Sequence, residues 1–265
     1  MISAATLSTL IAPRPERAFV LGIGVSAITI DEAVSTIEGW LERGERHYVC
    51  ITGAHGVIES QRDAQLRDIH NKAGLVAPDG MPLVFMAHRL GFPAVTRVYG
   101  PELMKRLTER SRSTGYRQFY FGGGQGLADR LADRLQRQYP GLNVVGTWSP
   151  PFTAPTTEED DAIVERIKAA RPDILWVGLS TPKQEVWMAS HIGRLNVPVL
   201  IGVGAAFDFL AGTKHQAPLW LQRSGLEWLY RLCCEPRRLW RRYLKIVPTF
   251  AVLAMVQLAT QRWRG

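Results

Sequence analysis

Asp79 stands directly past the end of an apolar run, in "AGLVAPDGMPLV", between Pro78 and Gly80. A carboxylate in that place has two readings. Pro-Asp-Gly is a favourable turn sequence. A carboxylate at a strand end, partly shielded from water, is also well placed to act as a general base. Spacing alone leaves both open. Other candidates lie just beyond other apolar runs: Thr52 after "YVCI", Gly122, Gly123 and Gly124 in "FGGGQG", Lys183, Gln184 and Glu185 in "STPKQE", and Asp208 in "GVGAAFD". In an open α/β sheet the ligand crevice lies outside the carboxyl ends of the strands, so such positions gather at one end of the fold.

The glycine loop can bring backbone N–H groups against a phosphate, or it can be a tight strand-to-helix turn. It is not GxGxxG, since residue 127 is leucine, and it lacks the Gly-Lys-Ser/Thr ending of a Walker loop. No metal site is expected. His47, His55, His70, His88, His191 and His215 are scattered, no cysteine pair has ligand spacing, and there is no Asp-x-Asp. The acids of "EEDD" (158–161) read as helix N-terminal charge, favoured by the dipole. No G-x-S-x-G elbow points to a nucleophilic serine, and no bound cofactor is expected.

The elements that must position these residues are legible as a rhythm. From about residue 18 to 208, apolar runs alternate with amphipathic segments: "AFVLGIGV" before "DEAVSTIEGWLERG", where Asp31 can cap a helix that Gly44 ends, then "YVCITG", "LVAPDG", "QFYFGGG", "VVGTW", "ILWVGLS" and "VPVLIGVGAAFDFLAG", each with its helix. Proline in "PELMKRLTERSRSTG" suits a first helical position. Strands alternating with helices of this length predict an α/β fold, a mostly parallel Rossmann-like sheet with helices on both faces. At 265 residues, with 46% apolar residues, a proper core is within reach.

After about residue 218 the rhythm breaks. Residues 219–265 hold nine Lys/Arg against two acids, +7 of the chain's +8, while the first 218 residues are balanced to within one charge. Four of the eight tryptophans (Trp220, Trp228, Trp240, Trp263) also lie here. Within 236–247, Leu239, Trp240, Tyr243, Leu244 and Val247 fall on one helical face and Arg237, Arg238, Arg241, Arg242 and Lys245 on the other. The apolar run 246–259 contains Pro248 and is short of the roughly 20 residues that span a bilayer. A basic amphipathic helix with aromatics reads as binding an anionic membrane surface; the alternative is a helix packed on the body with a solvated basic face. The expected organisation is a catalytic domain over 1–218 and a helical basic appendage over 219–265. The N-terminal segment lacks the basic start of a signal peptide, and three cysteines suit a reducing compartment, so the expected location is cytoplasmic.

Taken together, "LVAPDG", "RVYGPEL", "QFYFGGGQG", "PDILWVGLSTPKQEVWM", "IGVGAAFDFLAG" and "APLWLQRSGLEWLYRLCCEPRRLWRRYL" resemble the bacterial WecG/TagA/CpsF glycosyltransferases, family 26 of the sugar transferases. The resemblance runs from about residue 20 to 245. It implies an inverting transferase without a bound metal, moving a sugar from a UDP donor to a sugar on polyprenyl diphosphate at the inner membrane face, in surface or exopolysaccharide synthesis. Asp79 matches the aspartate proposed as general base, and Thr52 the threonine facing the same pocket. Arg97 and Gln184 match residues assigned to the donor's diphosphate and nucleotide; Gly122, Gly123, Gly124, Lys183, Glu185 and Asp208 complete the expected substrate-binding set. Arg231, Arg237 and Arg238, with Arg241 and Arg242 beyond them, match the appendage thought to contact membrane and lipid diphosphate. The family's N-acetylmannosaminyltransferases often read Thr-x-Asn where this chain has Thr52-Gly53-Ala54-His55. Alanine cannot serve an acetamido group as asparagine's amide can, so the donor leans to a hexose such as UDP-glucose, with UDP-N-acetylmannosamine as alternative. Self-association is allowed. Two other classes stay open: a nucleotide-dependent oxidoreductase, against which the missing GxGxxG counts, and a non-catalytic module holding membrane or nucleic acid. The tail's apolar content favours lipid, so no nucleic-acid partner is expected.

Overall fold

The computed structural model describes residues 15–150 and 156–260. The N-terminal segment and Arg262, Trp263 and Arg264 of the basic tail lie outside them.

The first apolar run does not join the parallel series. It folds back on itself as an antiparallel hairpin, β1 (Arg17–Val20) and β2 (Ile23–Ser26), forming a separate two-stranded sheet. The turn is Leu21-Gly22, both left-handed at φ 49° and 81°. Leucine there is unusual, and two glutamines hold it: the Leu21 N–H donates to Gln257 Oε1 at 2.9 Å, and Gln61 Nε2 donates to the Leu21 carbonyl at 2.6 Å. The hairpin reads as one uninterrupted run because Val20, Leu21, Ile23 and Val25 are all fully buried.

The main sheet has six parallel strands: β3 (His47–Thr52), β4 (Leu75–Pro78), β5 (Gln118–Gly122), β6 (Val144–Trp148), β7 (Ile174–Gly178) and β8 (Val199–Gly202), in the order β4-β3-β8-β7-β5-β6. One core forms against the face covered by α1 (Ile30–Arg43), α5 (Gly100–Thr114), α6 (Leu127–Gln138) and α9 (Ala206–Ala211). The other forms against α2 (Ala54–Ser60), α3 (Ala64–Lys72), α4 (Met81–Arg89), α7 (Thr157–Ala170) and α8 (Lys183–His191). Burial on both faces explains why the strands read as continuous apolar runs. The cap of α1 is Thr29, not Asp31: Thr29 and Glu32 form a capping box, Asp31 sits in the first turn, and Gly44 closes the helix in the left-handed conformation. The "EEDD" acids do open α7, behind a Thr156/Glu159 capping box.

The tail forms α10 (Leu219–Arg223), α11 (Glu227–Cys234) and α12 (Pro236–Thr260). The apolar run short of a span is part of a longer element: α12 continues through Pro248 for 25 residues, and by length and composition it is long enough to cross a membrane. Yet it packs on the body. Leu239, Ile246, Phe250, Ala254 and Gln257 are buried, and Ile246, Phe250 and Ala254 join the core beside α2 and α8. The expected apolar face divides, since Leu239 packs inward while Trp240 and Leu244 stay exposed. Gln257 fastens the helix to the hairpin, accepting from Leu21 N–H and donating to the Phe19 carbonyl at 2.6 Å. Gln257→Ala orphans a buried N–H and carbonyl, so stability should fall by about 1–3 kcal/mol in urea unfolding.

Candidate functional site

The strands β3 and β8 are neighbours whose chains leave towards opposite faces, β3 into α2 and β8 into α9. Their carboxyl ends part there, and a doubly wound sheet opens its ligand crevice at such a place. A cavity of about 800 Å³ fills it. Gly53 and Ala54 line it from β3, Gly204 and Ala205 from β8, Asp79 and Gly80 from β4. The tail closes the outer side with Glu227, Trp228 and Arg231 of α11 and Arg242 and Tyr243 of α12. A second cavity of about 660 Å³, lined by Arg46, Arg117 and Asp173, sits at the opposite, amino ends of the strands.

Backbone bonds set Asp79 in place. Its N–H donates to the Thr52 carbonyl at 2.9 Å, and Val98 N–H donates to the Pro78 carbonyl at 2.8 Å, which draws the 97–99 segment alongside. Arg97 then forks onto Asp79: Nε donates to its backbone carbonyl and one terminal nitrogen to Oδ1 at 3.3 Å. The same nitrogen donates to Glu227 Oε2 at 2.6 Å. The guanidinium also lies 4.1 Å over the Tyr99 ring. Burial works against the Arg97 charge, but Asp79 and Glu227 more than offset it and hold the group above its ordinary value. The Asp79 side chain keeps 35% exposure, so it is open to the cavity while held from one side.

Two cavity-lining residues carry buried polar atoms with no hydrogen-bond partner among the described residues, the Tyr99 hydroxyl and Gln184 Oε1. Buried polar groups are rarely left so, and here both border a space that a polar ligand can fill. Gln184 is aimed by a loop turning on Ser180, which is left-handed at φ 64°. Thr52 and Glu185 stand one layer behind. Neither lines the cavity; Glu185 is fully buried, accepts from Thr181 Oγ1 at 2.9 Å and Gln184 Nε2 at 3.1 Å, and burial pushes its carboxyl upward.

Other expected residues lie away from the cavity. Gly122 has a packing reason: at φ 130° it sits against β7, where an added Cβ would come within 2.6 Å of the Gly178 backbone. Gly123 donates its N–H to the Gly178 carbonyl, and Gly124 accepts from Leu127. The loop is thus a tight strand-to-helix turn. Lys183 is exposed, Asp208 pairs with Lys214 at 3.8 Å, and neither lines the cavity. In the tail, Arg237 and Arg241 are exposed and Arg238 pairs with Glu235, leaving Arg231 and Arg242 as the appendage arginines in the cavity.

These two have no carboxylate partner among the described residues. Burial, together with Arg238 and Arg231 nearby, holds the Arg242 guanidinium below its ordinary value. Cations gathered without a counter-charge make a site for an anion. Sequence reasoning missed Glu227, Tyr99 and His55 here. Glu227 had one visible signal, as one of only two acids in a basic tail.

The family model for the glycosyl transferase WecG/TagA/CpsF family matches residues 18–264. The chain belongs to this family. It is similar to an N-acetylglucosaminyldiphosphoundecaprenol N-acetyl-beta-D-mannosaminyltransferase of Staphylococcus aureus, 28% identical over 234 residues, 87% of this chain and 89% of the relative. An enzyme of the same name from Bacillus spizizenii is 25% identical over 207 residues, 78% of each chain. The expected family and α/β fold are thereby met, and the chain is a WecG/TagA/CpsF glycosyltransferase with its cavity at the β3/β8 split.

His55 lines that cavity, and burial first, then Arg242, push its pKa down to about 4, with Glu59 pulling the other way and Arg231 adding a smaller downward push. Between about pH 6.5 and 4 the unfolded chain binds this proton and the folded chain does not, so the His55 contribution to stability is lost as pH falls through that window. Imidazole NMR should show His55 neutral at pH 5.5 and titrating near pH 4. Arg242→Ala should move the midpoint up only part of the way, because burial is the larger cause.

Proposed function

We propose that this glycosyltransferase moves a sugar from a UDP-sugar to a hydroxyl of a saccharide on polyprenyl diphosphate, with inversion and without a bound metal. One observation carries the reading: a single cavity presents the Asp79 carboxylate, held from one side by Arg97, together with two arginines that form no ion pair among the described residues. The acceptor hydroxyl oxygen attacks C1 of the donor sugar, its proton passes to Asp79, and the bond from C1 to the phosphate oxygen breaks with its electron pair leaving on UDP. A single displacement of this kind inverts the anomeric centre. Arg97 orients Asp79. The Gln184 and Tyr99 polar atoms offer partners to the donor, and Arg231 and Arg242 offer charge-assisted hydrogen bonds to a diphosphate, the work a divalent ion does elsewhere.

The acceptor class follows the relatives, whose names specify a sugar on diphosphoundecaprenol. For the donor, Ala54 lines the cavity with a methyl group, which favours a UDP-hexose such as UDP-glucose. The relatives' names favour UDP-N-acetylmannosamine instead, and a panel of UDP-sugars decides between them.

The Asp79→Asn variant, assayed in excess EDTA beside the wild type, tests the mechanism. The wild type should turn over despite the chelator, while the variant should lose ~10²–10⁴-fold in kcat, the usual contribution of a general base, with UDP affinity nearly unchanged by calorimetry. Wild-type turnover in the variant would remove Asp79 from the role.

The protein works at the inner face of the membrane as a peripheral enzyme. Of twelve exposed large apolar side chains among the described residues, nine lie at or beyond Leu219, close to the exposed Arg237, Arg241 and Lys245. Replacing these three basic residues by alanine, none of which lines the cavity, should weaken flotation with anionic liposomes roughly 100-fold, at about 1 kcal/mol per basic residue. Unchanged flotation would sink the membrane role.

A further inference from the structure

Gln184 and Glu185, neighbours in the first turn of α8, are both buried, at 2% and 0% exposure. Their side chains form one arrangement with a fixed polarity. Glu185 Oε1 accepts twice, from Thr181 Oγ1 at 2.9 Å and from Gln184 Nε2 at 3.1 Å. A carboxylate oxygen has no proton to give, so the amide end that faces it must be the NH2. A proton on this buried carboxyl would sit on Oε2, which has no partner among the described residues, and would leave Oε1 an acceptor. Turning the Gln184 amide over would set two oxygens face to face. Gln184 Oε1 is therefore the atom left over. It is buried, has no partner among the described residues, and belongs to a side chain that lines the cavity.

Packing holds the amide in that orientation. It lies against the end of β8, where a Cβ added at Gly202 would come within 3.1 Å of Gln184 Nε2 and one at Gly204 within 3.5 Å of Oε1. The Gln184 N–H donates to the Ser180 carbonyl at 3.0 Å, which ties the backbone to the left-handed turn.

We propose that Glu185 is a positioning residue that makes Gln184 a one-way reader, an acceptor for the N3–H of uracil in the donor nucleotide. The inference rests on the UDP donor given under Proposed function and adds how its base is chosen. Polarity selects the ligand group. A sugar hydroxyl both donates and accepts, so it would pair with either end of an amide and has no need of Glu185. A phosphate oxygen only accepts and is repelled by Oε1. An imide N–H donates and does not accept, which matches the one end that Glu185 leaves free. Among the pyrimidines, uracil carries a hydrogen on N3 where cytosine carries a lone pair, so the arrangement that takes uracil refuses cytosine. Glu185 thus acts on the choice of substrate without touching it, which gives a fully buried acid behind the cavity a task.

The test is calorimetric titration of the full chain with UDP and with CDP, in the wild type, in Glu185→Gln and in Gln184→Met. Both substitutions nearly conserve volume; a thermal melt checks that each folds, and either alone suffices. The wild type should bind UDP at least ~10-fold more tightly than CDP, the scale of one hydrogen bond left unmade at a buried acceptor. In Glu185→Gln either end of an amide can face Gln184, so the ratio should fall to about threefold or less, chiefly because CDP gains. In Gln184→Met it should fall as far, because UDP weakens. A wild-type ratio below ~10-fold would overturn the proposal, and so would a ratio that survives in a folded variant. Survival with both nucleotides equally weakened in Glu185→Gln would leave Glu185 a structural role alone. UDP bound without discrimination overturns this inference only, whereas absence of UDP binding overturns the donor reading with it. Asp79→Asn removes turnover and leaves the ratio untouched, so the transfer reading is judged separately.

Discussion

Arg97 is the constraint on which the site depends. Its guanidinium joins three parts of the chain far apart in sequence: the β4 end through Asp79, the 97–99 segment to which it belongs, and the tail through Glu227, 130 residues on. Asp79 lies at the surface of an open crevice, where nothing in β4 itself would hold its side chain. A planar fork that contacts both the backbone carbonyl and the carboxylate of one residue holds it from one side and leaves the cavity side free. The Tyr99 ring beneath keeps the fork from swinging away. A lysine, with a single rotatable charge, could not make this set of contacts.

The tail therefore does more than add charge. It supplies the outer wall of the cavity, the second carboxylate on Arg97, and the two arginines that form no ion pair among the described residues. Its basic residues divide into two populations. Arg231 and Arg242 border the cavity, while Arg237 and Arg241 lie away from it in solvent beside Trp240 and Leu244. The tail thus carries basic side chains both at the cavity and out in solvent.

Much of this was legible in the sequence, for definite physical reasons. Strands buried on both faces write continuous apolar runs, so β3, β4, β5, β7 and β8 stood out, while the half-buried edge strand β6 showed as the short run "VVGTW". The carboxyl-end rule then placed Thr52, Asp79, Gln184 and the 202–208 segment at one end of the sheet. The hairpin was not legible, because β2 is buried throughout and the turn before it carries leucine at a left-handed position that local rules assign to glycine or asparagine. The glycine loop stayed ambiguous for the opposite reason: Gly122 answers to the close approach of β5 and β7 at Gly178, which only the strand order reveals. The Glu227 role was invisible because pairing across 130 residues leaves no local pattern. Distinguishing Arg231 and Arg242 from their neighbours needed the rotation of α11 and α12 on the body, which a charge count does not contain.

The clasp of Gln257 on the hairpin has a consequence for the order in which the molecule becomes functional. It joins positions 236 and 238 residues apart, among the longest-range contacts the chain makes. The hairpin emerges before the tail during synthesis, and its turn must wait for a partner in α12. The parallel sheet can assemble from β3 to β8 before that partner exists, but the cavity has no outer wall until α12 has been made and seated. Such late, non-local closure is slow relative to local folding. A nascent chain therefore carries Asp79 long before it carries the closed cavity that Asp79 borders, and that cavity is complete only when the two ends of the fold meet.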